Sequence, residues 1–147
     1  MDFNIYIKEE NRNLPVSIKI LKKLSRAAFS LTGKEAGDIS LVVCDDQFIS
    51  RLNTKYKGIE APTDVLSFTM REEETPQIGS NILGDIIISI DTARRQANAM
   101  GETLDEEFLI LFIHGLLHLL GYTHNYQKDE KTMMEFTNKI LSEVAQT

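Results

Sequence analysis

Apolar residues at Phe3, Ile5 and Ile7 alternate with polar neighbours, the period of a half-buried strand, so the chain opens with β structure. From about Val16 to Leu31 the period lengthens. Ile20, Leu21, Leu24, Ala28 and Leu31 recur at helical spacing, while Lys19, Lys22, Lys23 and Arg26 fall on another face. This helix ends near Gly33, and Gly37 turns the chain into a second strand over Asp38 to Cys44. Asp45 has a side chain suited to capping the next helix, on which Phe48, Leu52 and Tyr56 share a face before Gly58 stops it. Asp64 to Phe68 is a short apolar strand, followed by a polar loop with Glu72, Glu73, Glu74, Pro76 and Gly79.

Leu83 to Ile90 predicts a fourth strand, and its run of isoleucines points to burial on both faces. Asp91 to Met100 is helical. Thr103-Leu-Asp-Glu106 is a capping box, in which the threonine and glutamate side chains satisfy each other's backbone amides at a helix start. A last amphipathic helix carries Met133, Met134, Phe136, Ile140, Leu141 and Val144. Four strands and the helices between them lie in one domain over residues 1–147, without repeat or linker.

Composition narrows the class. At 42% hydrophobic and 26% charged residues the chain is ordinary for a globular protein. A domain of this length buries roughly 68–70% of its unfolded surface, enough for a core without staples. The lone Cys44 has no internal disulfide partner, and the N-terminus lacks the pattern of a signal peptide, so the expected compartment is the reducing cytoplasm. The most apolar stretch, Phe108 to Leu120, is interrupted by histidines and shorter than the roughly 20 residues of a membrane span, so no membrane partner is expected. The net charge of −6 supplies no long-range attraction to a polyanion, and any nucleic-acid role must rest on a local basic surface.

The candidate chemistry lies in the histidines. All three in the chain fall within the segment His114-Gly-Leu-Leu-His118-Leu-Leu-Gly121-Tyr-Thr-His124. Four residues apart on a helix, His114 and His118 share one face. Gly121 tolerates the backbone conformation at which a helix stops, which lets His124 return toward the same point. Three neutral imidazoles with one open position describe a catalytic zinc site, although imidazole alone does not choose zinc over another divalent transition ion. The spacing is that of the metzincin motif H-E-x-x-H-x-x-G-x-x-H, with Gly115 in place of the general-base glutamate. Peptide hydrolysis requires that base, so an ordinary metalloprotease is disfavoured.

These residues resemble a known family. His114-Gly-x-Leu-His118-Leu-x-Gly121-Tyr-x-His124 is similar to the hallmark of the YbeY endoribonucleases, also called rRNA maturation factors. Asn53-Thr-Lys-Tyr56-Lys57-Gly58 followed by Pro62-Thr-Asp-Val-Leu-Ser-Phe68 resembles the family's upstream block, and Leu83-Gly-Asp-Ile86 a third. The resemblance implies an α+β fold, a small mixed sheet of about four strands packed with helices, with a zincin-like metal helix. It also implies one zinc ion on His114, His118 and His124, and hydrolysis of single-stranded RNA in small-subunit rRNA 3′-end maturation and ribosome quality control. Two positions depart from the family's usual pattern: Lys57 stands where it has arginine, and Thr123 where it has aspartate. Lys57 is a candidate catalytic residue through phosphate contact or charge stabilisation, set against a solvated lysine at a helix end. The basic face of the first helix is either an RNA contact or a wet surface, and Asp64 and Asp85 read as turn or capping residues. Cys44, Met133 and Met134 read as packing. A rival reading is a ribosome-assembly or RNA-binding factor whose metal is chiefly structural.

Overall fold

The computed structural model describes residues 2–70, 82–122 and 127–145, with side chains from residue 130 onward in the last segment. The elements run β1 (Ile5–Glu10), α1 (Ile18–Thr32), β2 (Asp38–Cys44), α2 (Asp46–Lys57), β3 (Val65–Thr69), β4 (Ile82–Ser89), α3 (Ile90–Met100), α4 (Leu104–Leu119) and α5 (Gln127–Ala145). The polar loop expected at residues 72–79 lies outside the described residues.

The sheet has the order β1-β2-β4-β3. β1 and β4 run parallel to β2, and β3 runs antiparallel to β4 at the edge. This is the expected mixed four-stranded sheet in an α+β fold. Strand alternation divides the core in two. Ile39, Leu41, Val43, Ile86 and Ile88 point to the face covered by α1, α4 and α5. Val42, Cys44, Leu66, Phe68 and Ile87 point to the other face, where Phe48, Ile49 and Leu52 of α2 pack on them. Ile86, Ile87 and Ile88 are all buried, as a strand covered on both faces requires.

Side-chain caps set the helix starts. Ser17, Asp45, Ser89 and Thr103 each accept a backbone amide from the first turn of α1, α2, α3 and α4, and Thr103 and Glu106 complete the capping box. Because Ser89 caps α3, Ile90 is its first helical residue rather than the end of β4. β1 continues through Lys8, Glu9 and Glu10, three residues beyond the apolar pattern, since an edge strand tolerates polar side chains. Phe3 precedes the strand and is buried, meeting Phe29 of α1 edge to face at 5.2 Å.

A polar network ties the carboxyl ends of β1, β2 and β4 together. Arg12 pairs with Asp91 at 2.8 Å, and the Asp46 amide donates to Asp91. The Asp46 carboxylate accepts from Ser89, Thr92 and Arg95. Burial pushes the Asp46 carboxyl up, but these donors outweigh it and hold it below its ordinary value.

Candidate active site

α4 carries two of the candidate metal ligands, His114 and His118, across the sheet at β3 and β4. Most of its residues from Leu111 to Leu120 are buried, whereas His114 and His118 are half-buried, so the two imidazoles, one turn apart, emerge on one side of a helix otherwise sunk in the core. His114 also lines a cavity of about 250 Å³ toward α5, with Ile110, Glu130, Met133 and Thr137. At the end of α4 the Gly121 amide donates to the His118 carbonyl and the Tyr122 amide to the Leu117 carbonyl. Gly121 itself takes φ 104°, the turn expected of it.

His124 and Thr123 lie outside the described residues, and among the described residues no three histidine, cysteine or carboxylate side chains gather as a metal set. The two described imidazoles fit a divalent transition ion in donor type and spacing.

Gly115 is where α4 touches the sheet. A Cβ built there would lie 2.8 Å from Ile86 Cγ2 and 3.2 Å from Ser67 Oγ, and the Ser67 hydroxyl donates to the Gly115 carbonyl at 3.3 Å. The position that holds glutamate in metzincins therefore faces β3 and β4 at close contact, with no room for a side chain. Close helix–sheet packing is the physical reason for the missing base.

The upstream block reaches β3 from the other face. Tyr56 packs on Phe68 with ring centroids 5.1 Å apart. Asn53 is buried and donates to the Ala61 carbonyl at 2.9 Å, which fixes the turn between α2 and β3. Lys57 is exposed in the last turn of α2, where its charge complements the helix C-terminus. In the third block, Gly84 lies opposite Thr69 in the sheet, and a Cβ there would collide with the Phe68 carbonyl oxygen. Four segments separated by up to about seventy residues thus converge on one edge strand: α2 packs on it, β3 is it, β4 pairs with it and the histidine helix lies across it.

The match is equally extensive in sequence. The model of the family described as endoribonuclease YbeY matches residues 6–145. The chain belongs to that family. It is 46% identical to the endoribonuclease YbeY of Pelotomaculum thermopropionicum over 111 residues, 74% of this chain and 72% of that one. It is 43% identical to the endoribonuclease YbeY of Aquifex aeolicus, covering 85% of this chain and 82% of that one. The solution structure of TM1509 from Thermotoga maritima shares the fold, with a TM-score of 0.61 and 29% identity over 94% of this chain and 88% of that one. Membership makes the chain an enzyme, a hydrolytic nuclease by family.

Other residues singled out in the sequence resolve as follows. Asp64 accepts from the Val65 amide at 2.7 Å and from Gln96 at 3.3 Å, capping work that joins β3 to α3. Asp85 is not the turn or capping residue that its place near a strand edge predicts. It sits within β4 opposite Phe68 and lines a cavity on the α2 face. In the basic face of α1, Lys22 and Arg26 stand over the Phe3 ring at 5.8 and 5.6 Å, so part of that stripe covers the residue that leads into β1. Cys44 and Met133 are buried in the core, whereas Met134 is 63% exposed and corrects the expectation that it packs.

Sequence reasoning passed over Glu107. It is 4% exposed on α4, and its carboxyl is raised by burial and further by Glu102 and Asp64. Its signal was a polar residue at the buried spacing of an apolar helix. No helix among the described residues is long and apolar enough to cross a membrane.

Proposed function

We propose that this chain is a metal-dependent endoribonuclease of the cytoplasm that cleaves single-stranded RNA, with small-subunit ribosomal RNA at its 3′ end as the substrate. We assign His114, His118 and His124 as the ligands of one zinc ion. The observation that carries the reading is the convergence of the histidine helix, the Asn53–Gly58 block and the Leu83–Ile86 block on edge strand β3. Zinc, when bound, supplies Lewis acidity toward a phosphoryl oxygen and a bound water of lowered pKa.

The chain's own residues shape the rest. α4 holds two imidazoles at the boundary of core and solvent, and the Ser67–Gly115 contact fixes its height above the sheet. The steric block at Gly115 leaves no carboxylate to shuttle a proton to an amine leaving group, which disfavours peptide hydrolysis. A phosphodiester has a better leaving group, and in RNA the neighbouring 2′-hydroxyl is a built-in nucleophile. Lys57 supplies a point charge for a phosphate rather than the two-pronged clamp of arginine.

Incubation of the purified chain with structured and unstructured RNA, with and without chelator, tests the proposal. Cleavage of the unstructured RNA that is abolished by chelator and by His114→Ala supports it. Cleavage unchanged in His114→Ala refutes it. Chelation that lowers the melting temperature with no turnover at any metal level would make the ion structural and the chain a binding factor.

A further inference from the structure

On the face of the sheet opposite α4 a cavity of about 400 Å³ opens between α2 and the strands, walled by Phe48, Leu52, Tyr56 and Phe68 over Ile87 and Asp85. Its volume lies within the roughly 300–1,000 Å³ of small-ligand pockets. Apart from Thr69 and the Asp85 carboxylate its lining is apolar or aromatic. Among the described residues no donor hydrogen-bonds or ion-pairs with that carboxylate, so its acceptor capacity is unspent in a half-buried place. Tyr56 is 57% exposed, leaving the mouth open beside an aromatic ring.

The rim is basic. Arg51 and Lys55 stand over the Phe48 and Tyr56 rings at 5.9 and 5.1 Å. Both also line an open depression of about 580 Å³ along α2, with Gln47, Ser50, Thr54 and the one acidic residue there, Glu60. Lys57 is exposed one residue beyond Tyr56. An aromatic cleft with an acceptor in its wall and cations at its mouth suits a planar base attached to a phosphate. A cationic peptide side chain would also like aromatic rings and a carboxylate, but Arg51 and Lys55, already over the rings, oppose it.

The acceptor chooses the base. A carboxylate offers two oxygens and no proton. Guanine alone presents two adjacent donors, N1–H and the N2 amino group, on its Watson–Crick edge. Adenine, cytosine and uracil each place at least one acceptor beside their donor, which a carboxylate repels. We infer that this cavity is a guanine-binding subsite for single-stranded RNA, in which Asp85 accepts from the guanine Watson–Crick edge beside the Tyr56, Phe48 and Phe68 rings. The subsite rests on the nuclease reading above and lies on the far side of the sheet from the histidine helix. It reads a base at a distance from the bond that is cleaved.

Titration of the full-length chain, as isolated with its metal, with guanosine, adenosine, cytidine and uridine 5′-monophosphates, followed by backbone amide NMR shifts, tests it without any need for turnover. Guanosine monophosphate should bind most tightly and shift amides around Asp85, Ile87, Tyr56 and Phe68 rather than those around His114 and His118. Asp85→Asn should reduce the preference for guanine by roughly 5- to 150-fold, the discrimination of one good bidentate contact to a base. Tyr56→Ala, at an exposed ring, should weaken all four nucleotides alike and keeps the test open if Asp85→Asn does not fold. Equal binding of the four, a guanine preference unchanged in Asp85→Asn, or binding of free arginine in place of nucleotide overturns the assignment. Intact RNA cleavage with no guanine preference sinks the subsite and spares the nuclease reading, and guanine-selective binding by a chain that does not cleave does the reverse.

Discussion

Gly115→Ala isolates the contact that positions the histidine helix. In a solvent-exposed helix interior this change stabilises by about 0.8–1.0 kcal/mol, because alanine loses less backbone entropy. Here the new methyl would sit 2.8 Å from Ile86 Cγ2, well inside the roughly 3.5–4.0 Å optimum between carbons, and 3.2 Å from the Ser67 hydroxyl. Ile86 is fully buried and has nowhere to retreat. Overpacking of this kind costs about 1–3 kcal/mol, and set against the helical gain it leaves a net loss of about 0–2 kcal/mol. For a chain of this size that is a fall of up to about 8 °C in melting temperature.

Ile86→Ala removes the obstructing methyl and alone costs roughly 2–5 kcal/mol. Adding Gly115→Ala to that background should then be neutral or stabilising. Urea unfolding of the four proteins gives the coupling, expected at about 1 kcal/mol or more, above the 0.3–0.5 kcal/mol scatter of independent sites. A stabilising Gly115→Ala in the wild-type background, or four additive values, would refute the packing explanation for the glycine.

Asn53→Ala should destabilise by about 1–3 kcal/mol, since it strands the Ala61 carbonyl and loosens the turn before β3, as denaturant titration would show. Glu107 is raised above 4.5 in the folded chain, so the native state binds its proton more tightly. The resulting stability is full below that value and lost as pH climbs through the folded pKa. Glu107→Gln should accordingly raise the melting temperature over wild type near pH 8, with the difference vanishing near pH 4, which a pH series of thermal melts would read. Burial, then Asp45 and Asp46, push the Cys44 thiol up to about 12, so it should resist disulfide reagents at about pH 8 in the native chain and react fully after unfolding.

The local elements were readable because local chemistry sets them. Asp45 and the Thr103–Glu106 box start helices where the side chains demanded, and the isoleucines of β4 are buried on both faces. Pairing was not readable, because β1 beside β2 and β2 beside β4 are contacts between segments far apart in sequence, and nothing local encodes them. The same limit hid Asp85. Its place near the strand edge suggested turn or capping work, yet β3 pairs alongside it and the aspartate faces a cavity made by a helix some thirty residues earlier. Gly115 was visible as a lost glutamate, whereas its cause, the approach of Ile86 and Ser67, required the fold. Of the three candidate ligands, His114 and His118 emerge from α4 as the four-residue spacing required, and His124 lies outside the described residues.

The most direct test of the central claim is the metal content of the chain purified without a histidine tag, measured by elemental analysis beside RNA cleavage by the same samples. The account expects about one equivalent of zinc, or of another divalent transition ion, per chain. In folded His118→Ala both the metal and the cleavage should be lost together. Full cleavage by a metal-free wild-type chain, or metal and cleavage both undiminished in His118→Ala, would contradict it.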